Sequence, residues 1–187
     1  MEVLTDLGPT RMTMAEVARR AGVSRMTVYR RYQSLDALVS AVLTAEMADV
    51  VADVAARLPA TGNVRERVVA ESVAVVGTLI DHTLLQRVLE VDPESLLPLL
   101  VERIGSGQRL LREHTAAVLA AGMARHGGDG SVRDADPRLL ALTVVTLAQP
   151  FVVGMRPLSQ EYPAEQLLAE LAAVIDRYLR PQWRVSP

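Results

Sequence analysis

The sequence predicts an all-α protein in two parts, a short N-terminal helix-turn-helix and a larger helical body, and three observations carry that expectation. Half of the residues are hydrophobic but only 3% are aromatic, a balance that favours aliphatic helices over sheets. Apolar residues recur at helical spacing along most of the chain, with no longer repeating unit. Serine, threonine, glycine and proline punctuate that pattern where helices should begin and end.

Thr13-Met14-Ala15-Glu16 has the form of a capping box, with Thr13 placed to cap and Glu16 to reach back, so a short helix is expected to about Arg20. Gly22 ends it. Ser24 is placed to cap a second short helix through Tyr32, and Ser34 a third that continues as LDALVSAVLTAEMADVVADVAARL until Pro59. At about 1.5 Å per residue that third helix is long enough to link two domains.

Beyond Pro59-Ala60-Thr61-Gly62, helices are expected over 63–80 and 83–91. Another should follow Asp92-Pro93, a cap before a proline suited to the first turn. SGQRLLREHTAAVLAAGMARHG reads as one long helix ending at Gly127-Gly128. The loop from there to Asp136, rich in Gly and Asp, reads as the least structured internal stretch.

The last two helices differ. From Pro137 to about Val153 the chain is apolar on nearly every face, with Pro150 expected to kink or end the helix. From Pro163 to Leu179 the apolar residues Leu167, Leu168, Leu171, Val174, Ile175, Tyr178 and Leu179 form one broad stripe. A helix apolar all round needs cover on two sides. A central place in one chain's core would supply it, but a homodimer through about 137–153 and 163–179, with two-fold packing, is the favoured reading.

There is no cysteine, so disulfides and thiolate metal sites are ruled out. The N-terminus lacks a basic region followed by an apolar run, and no uninterrupted apolar stretch reaches the roughly 18–20 residues of a membrane span. A soluble, cytoplasmic protein without a membrane partner is expected. The formal net charge of -2 hides an asymmetry: residues 11–35 carry six arginines against the single acid Glu16, and residues 36–187 carry 14 arginines against 19 acids. Such a split places a polyanion-binding module at one end of the chain.

Met14 to Tyr32 fits a helix-turn-helix on steric grounds. Ala18 is small where the helices would cross, Gly22 suits a positive φ at the turn, and Val17, Val23 and Val28 would fix the crossing. An ordinary helical hairpin leaves the dense arginines unexplained, so DNA binding is expected. Arg25, Met26, Thr27 and Arg30 occupy the early, outward face of the second helix, where side chains reach base edges and an arginine can meet guanine with two hydrogen bonds.

The stretch from Thr13 to Leu38, TMAEVARRAGVSRMTVYRRYQSLDAL, closely resembles the TetR family of bacterial transcriptional repressors. The rest of the chain carries no comparable motif, although its succession of helices agrees with the family's all-helical regulatory domain. The resemblance implies a DNA-binding domain over 1–45, with its motif at about 13–32, and a ligand-binding and dimerisation domain over 46–187. It implies a homodimer on a palindromic double-stranded DNA operator, released when a small-molecule effector of unknown identity changes the spacing of the recognition helices. Tyr29, Arg31 and Tyr32 resemble the family's phosphate contacts, together with Thr13 and Ser24 at helix N-termini. For Tyr32, core packing is the competing role, because the family often has Phe there.

Four departures from the family pattern stand out. Met26 replaces a common glycine, Arg31 a frequent histidine, and Leu35 the usual lysine, which removes one phosphate contact. Upstream, only Met1 to Leu7, with Val3, Leu4 and Leu7 as its apolar face, is present for the family's first helix. A helix so short depends on packing alone, so either the natural chain starts further upstream or the DNA-binding core is incompletely covered.

His82, His114 and His126 have neither metal-ligand spacing nor a nearby nucleophile motif, and no glycine-rich phosphate loop is present. No catalytic residue, metal or cofactor is expected. For the effector cavity, Met123, Phe151 and Met155 offer adaptable or large apolar surface and His82 or His114 a polar handle, although core packing is the commoner role of a methionine. The scarcity of aromatics favours an apolar or flexible effector. Two alternatives remain from other classes: an architectural protein that binds DNA without sequence choice, and a ligand-binding helical dimer that has lost DNA binding.

Overall fold

The computed structural model of the protein describes residues 13–91 and 106–181. Within them eight α-helices follow in order: α1 (Met14–Arg20), α2 (Arg25–Arg31), α3 (Leu35–Arg57), α4 (Val64–Ile80), α5 (Thr83–Val91), α6 (Ser106–Ala121), α7 (Pro137–Leu158) and α8 (Ala164–Leu179). Among the described residues there is no strand, only an isolated bridge between Met123 and Val132. The helices expected at Met1–Leu7 and after Asp92-Pro93 lie outside the described residues.

Contacts divide the chain into two units, Met1–Asp49 with Asp81–Gly107, and Val50–Ile80 with Gln108–Pro187. The division falls inside α3. In the first unit one cluster joins Met14, Ala18, Val28 and Leu38, and a second joins Val39, Leu84 and Val88. Leu35, Val17 and Val42 pack against both, so α3 and α5 continue the apolar surface that α1 and α2 begin.

The second unit has a larger core, in which α4 packs on α7 and α8, and α7 on α8. Val68 and Val76 of α4, Leu119 of α6, Leu140 and Val144 of α7, and Leu171, Ile175 and Leu179 of α8 are nearly or completely buried there. Each fully buried aliphatic side chain is worth about 1.5–3 kcal/mol relative to exposure, so this core dominates the unit's stability. Arg65 of α4 pairs with Asp176 of α8, which also accepts from Arg180 Nε at 2.9 Å.

Three expectations about this unit are corrected. The long helix predicted to run to Gly127-Gly128 stops at Ala121, and a short 3-10 turn follows at Ala124–His126. The chain leaves the helix as Met123 takes an extended conformation (φ -90°, ψ 129°) and bridges to Val132, and Gly122 packs so closely that a Cβ would stand 2.6 Å from Val132 Cγ2 and 2.8 Å from Val64 Cβ. The loop after Gly128 is anchored rather than loose. Asp129 Oδ2 accepts the Val64 N–H at 2.8 Å and Ser131 Oγ the Arg65 N–H at 3.1 Å, so two groups from a distant loop cap α4, and Val132 is only 2% exposed. Finally, α7 does not end at Pro150 but carries both Pro150 and Pro157 inside it. Each removes a backbone donor and crowds the carbonyl four residues earlier, a cost that packing of Leu140, Ala141 and Val144 in the core helps to offset.

α7 also exceeds the expectation about apolar length. Over an 18-residue window its mean hydropathy is 1.6, enough by length and composition to cross a bilayer. Counting uninterrupted apolar residues missed this because Thr143, Thr146 and Gln149 interrupt the run without making the helix polar. The core helix of a soluble protein has the same profile.

Candidate nucleic-acid interface

Three hydroxyl caps start the N-terminal helices. Thr13 Oγ1 accepts the Glu16 N–H at 3.2 Å, Ser24 Oγ the Thr27 N–H at 3.1 Å, and Ser34 Oγ the Ala37 N–H at 3.1 Å. Between α1 and α2 the chain turns at Gly22, whose φ of +67° lies in the left-handed region open to glycine. Val23 then donates its N–H to Ala18 O at 3.0 Å, closing the turn.

Ala18, 1% exposed, lets the two helices cross closely. Val28 faces it from α2, with Met14 and Leu38 completing the cluster. Val23, expected to help fix that crossing, instead stands 43% exposed. It lies where the chain leaves the turn and enters the Ser24 cap, so its side chain points away from the crossing, and Met14 contributes the buried side chain instead.

With Val28 turned inward, the rest of α2 faces outward. Arg25, Met26, Thr27, Tyr29, Arg30 and Arg31 are all exposed, Met26 by 75% and Tyr29 by 51%. Thr27 Oγ1 lies 2.8 Å from Ser24 Oγ, which ties the two hydroxyls together at the start of the helix.

Glu16 departs from the expected capping box. Its carboxylate accepts from Arg19 Nε at 3.0 Å and Arg20 Nε at 3.1 Å rather than from the Thr13 N–H. Those arginines stand three and four residues on, along the same helix face, and a charge-assisted hydrogen bond outcompetes one from a neutral amide. The Arg19 hydrogen bond, helped against slight desolvation by the charges of Arg19 and Arg20, holds the Glu16 carboxyl below its ordinary range. The acid of α1 is thus engaged by the arginines of α1. Among the described residues no carboxylate pairs with Arg25 or Arg30, and Arg31 lies 5.8 Å from the centroid of the Tyr32 ring. The outward face of α2 is an uncompensated cationic surface with two hydroxyls and a cap at its leading end, the electrostatic character that binding to a nucleic-acid backbone requires.

Residues 1–42 match the family model of the bacterial regulatory proteins of the tetR family. An uncharacterized HTH-type transcriptional regulator of Mycobacterium tuberculosis is 35% identical over 176 residues, which cover 94% of this chain and 88% of that protein. The chain belongs to the TetR family. Among solved structures, the TetR-family repressor QsdR of R. erythropolis aligns with a TM-score of 0.69 at 18% identity, over 98% of this chain and 97% of that one. FadR of Bacillus subtilis, in complex with stearoyl-CoA, aligns with a TM-score of 0.57 at 15% identity, over 93% and 92%. At those identities the likeness is one of fold. TetR-family regulators bind DNA and act as dimers with small-molecule effectors, and this chain is a transcriptional regulator of that family.

One departure from the TetR-family pattern, Leu35, and one open role, that of Tyr32, acquire a physical meaning. Leu35, in place of the usual lysine, packs into both apolar clusters of the first unit. Tyr32 is half-buried against the Ala18–Val28 cluster, so it takes at least the core-packing role.

The five residues singled out for an effector cavity are dispersed. His82 lies in the first unit, with Nε2 3.2 Å from Glu46 Oε2 and Nδ1 accepting the Leu85 N–H at 3.5 Å. The other four lie in the second unit. His114 Nε2 faces Glu71 Oε1 at 2.5 Å, which joins α6 to α4. Met123 is fully buried in the main core with Phe151 packed against it, and Met155 is 3% exposed on α7. A groove of about 520 Å³ between α4 and α8, lined by Ala70, Ala74, Ala172 and Ala173 with Glu66 and Asp176, includes none of the five. Asp129 and Ser131 were missed altogether by reasoning from the sequence, since capping a helix some 65 residues away leaves no local signal.

Proposed function

We propose that this TetR-family regulator is a ligand-responsive repressor that binds a palindromic operator as a homodimer. The observation that carries the reading is the outward face of α2, where Arg25, Met26, Thr27 and Arg30 are exposed together and neither arginine has a carboxylate partner. Arg25 and Arg30 read guanines in the major groove, and Met26 and Thr27 meet base edges or a thymine methyl. Thr13, Ser24, Tyr29 and Arg31, with the Tyr32 hydroxyl, hold phosphates and set the register. No enzymatic role is assigned to the chain, and it works in the cytoplasm, where its operator lies.

The dimer forms through α7 and α8. Leu139 and Leu142 on α7 and Val174 on α8 remain 54%, 38% and 47% exposed, and two-fold pairing of these helices would cover them. The effector is an apolar or flexible molecule held in the second unit, a reading supported by the stearoyl-CoA bound to FadR of Bacillus subtilis. It releases the operator only to the extent that it favours the conformation with mismatched helix spacing.

Sequencing DNA fragments selected from a random pool by the purified protein tests this. The expected result is an inverted repeat whose half-site centres lie about 34–36 Å apart, or a multiple of that, with guanine in each half-site. Bound fragments with no shared sequence would overturn it in favour of architectural binding.

A further inference from the structure

We propose that Met26 reads the 5-methyl group of a pyrimidine lying within about two base pairs of the guanine read by Arg30; the inference rests on the operator-binding reading above and narrows it to one contact. In α2 the buried residue is Val28, 6% exposed. Met26 and Arg30 stand two residues before and two after it, each about 160° around the helix from the buried side. They therefore share the outermost line of α2, one turn apart, and a groove that admits the helix meets these two side chains first. Met26 is also the most exposed large apolar side chain among the described residues, at 75%.

Chemistry decides what each can read. A methionine has no donor and only a weakly accepting sulfur, so Met26 cannot recognise the donors and acceptors on a base edge. The one apolar group that the bases present in the major groove is the C5 methyl of thymine, and methylation of cytosine at C5 puts the same group in the same place. The polar side chain beside Met26 is already engaged: Thr27 Oγ1 lies 2.8 Å from Ser24 Oγ, which also accepts the Thr27 N–H. Arg30 supplies the other half of the reading. No carboxylate pairs with it among the described residues, and its fork suits O6 and N7 of guanine. Four residues at about 1.5 Å rise separate the two side chains by about 6 Å along the helix, less than two steps of about 3.4 Å along the DNA. The TetR family commonly has glycine at the position of Met26, so the contact is this chain's own.

The test titrates the full chain and its Met26→Ala and Met26→Leu variants against the operator selected from the random pool and against copies of it altered at single base positions. Uracil in place of thymine removes only the methyl, and 5-methylcytosine in place of cytosine adds only the methyl. For the wild type, uracil at one position near the conserved guanine should weaken binding about fourfold per half-site, the worth of one buried methyl group. Met26→Leu should keep that penalty and Met26→Ala should lose it. At the same position 5-methylcytosine should bind more tightly than cytosine; a uracil penalty without this gain assigns the contact to thymine alone. Uracil tolerated at every position near the guanine, or a penalty that persists in Met26→Ala, would overturn the assignment. Selected fragments that share no sequence refute the operator reading and the Met26 contact together, whereas a shared guanine without a methyl-sensitive neighbour refutes the contact only.

Discussion

Gly22 and Gly122 each follow the end of a helix, and they do so for opposite reasons. At Gly22 the backbone takes a φ of +67° and a Cβ would meet nothing within 4 Å. At Gly122 φ is not positive, but a Cβ would stand 2.6 Å from Val132 and 2.8 Å from Val64. The first turn is determined by conformation and lies open, so that α2 can present its outward face. The second is determined by packing: Gly122 O accepts the Val132 N–H at 3.1 Å, and the same loop reaches back to cap α4. An exposed helix face needs open surface and a core needs closure, and one residue type serves both.

Substitutions sharpen this contrast. Gly122→Ala should have the largest effect on stability, near the upper end of the roughly 1–3 kcal/mol that overpacking costs, seen as a fall in melting temperature of several degrees. Gly22→Ala meets no neighbour and carries only left-handed strain, about 1–2 kcal/mol. Its main readout should be weaker DNA binding as the α1–α2 turn shifts. Equal losses of melting temperature in the two variants would break the distinction between a turn set by conformation and one set by packing.

Asp129→Ala should cost less, about 1 kcal/mol as for a typical N-cap, because Asp129 is exposed. The effect should depend on pH. Slight burial pushes the Asp129 carboxyl up, but hydrogen bonds from the Ser131 hydroxyl, the Val64 N–H and the Ser131 N–H, with the nearby charge of Arg67, hold it below its ordinary value of 3.8. A carboxyl lowered in the folded state contributes stability above its unfolded pKa and loses it as pH falls through the folded one. The gap in melting temperature between wild type and variant should therefore be constant near neutral pH and shrink below about pH 3.8. A gap that persists unchanged at acid pH would mean that Asp129 does not cap α4 as a carboxylate.

The same contrast explains what was legible in the sequence. Thr13, Ser24 and Ser34 cap helices within three residues of themselves, and Gly22 turns the chain on its own φ, so local pattern sufficed for α1, α2 and the start of α3. Val23 was misread because apolarity does not reveal on which side of a turn a side chain falls. Glu16 was misread because a capping box competes with arginines at three and four residues' distance, and charge won. In the second unit the errors were non-local: Met123 leaves the helix to bridge Val132, and Asp129 caps a helix that precedes it by 65 residues.

The division of labour on α2 is most directly tested by titrating the wild type, Arg30→Ala and Arg31→Ala against the selected operator and a random duplex over a range of salt concentrations. Arg30→Ala should lose about 1–3 kcal/mol of discrimination at one base position. Arg31→Ala should weaken both duplexes alike and lower the salt slope by about one. If both variants bind both duplexes as the wild type does, α2 is not the element that reads DNA.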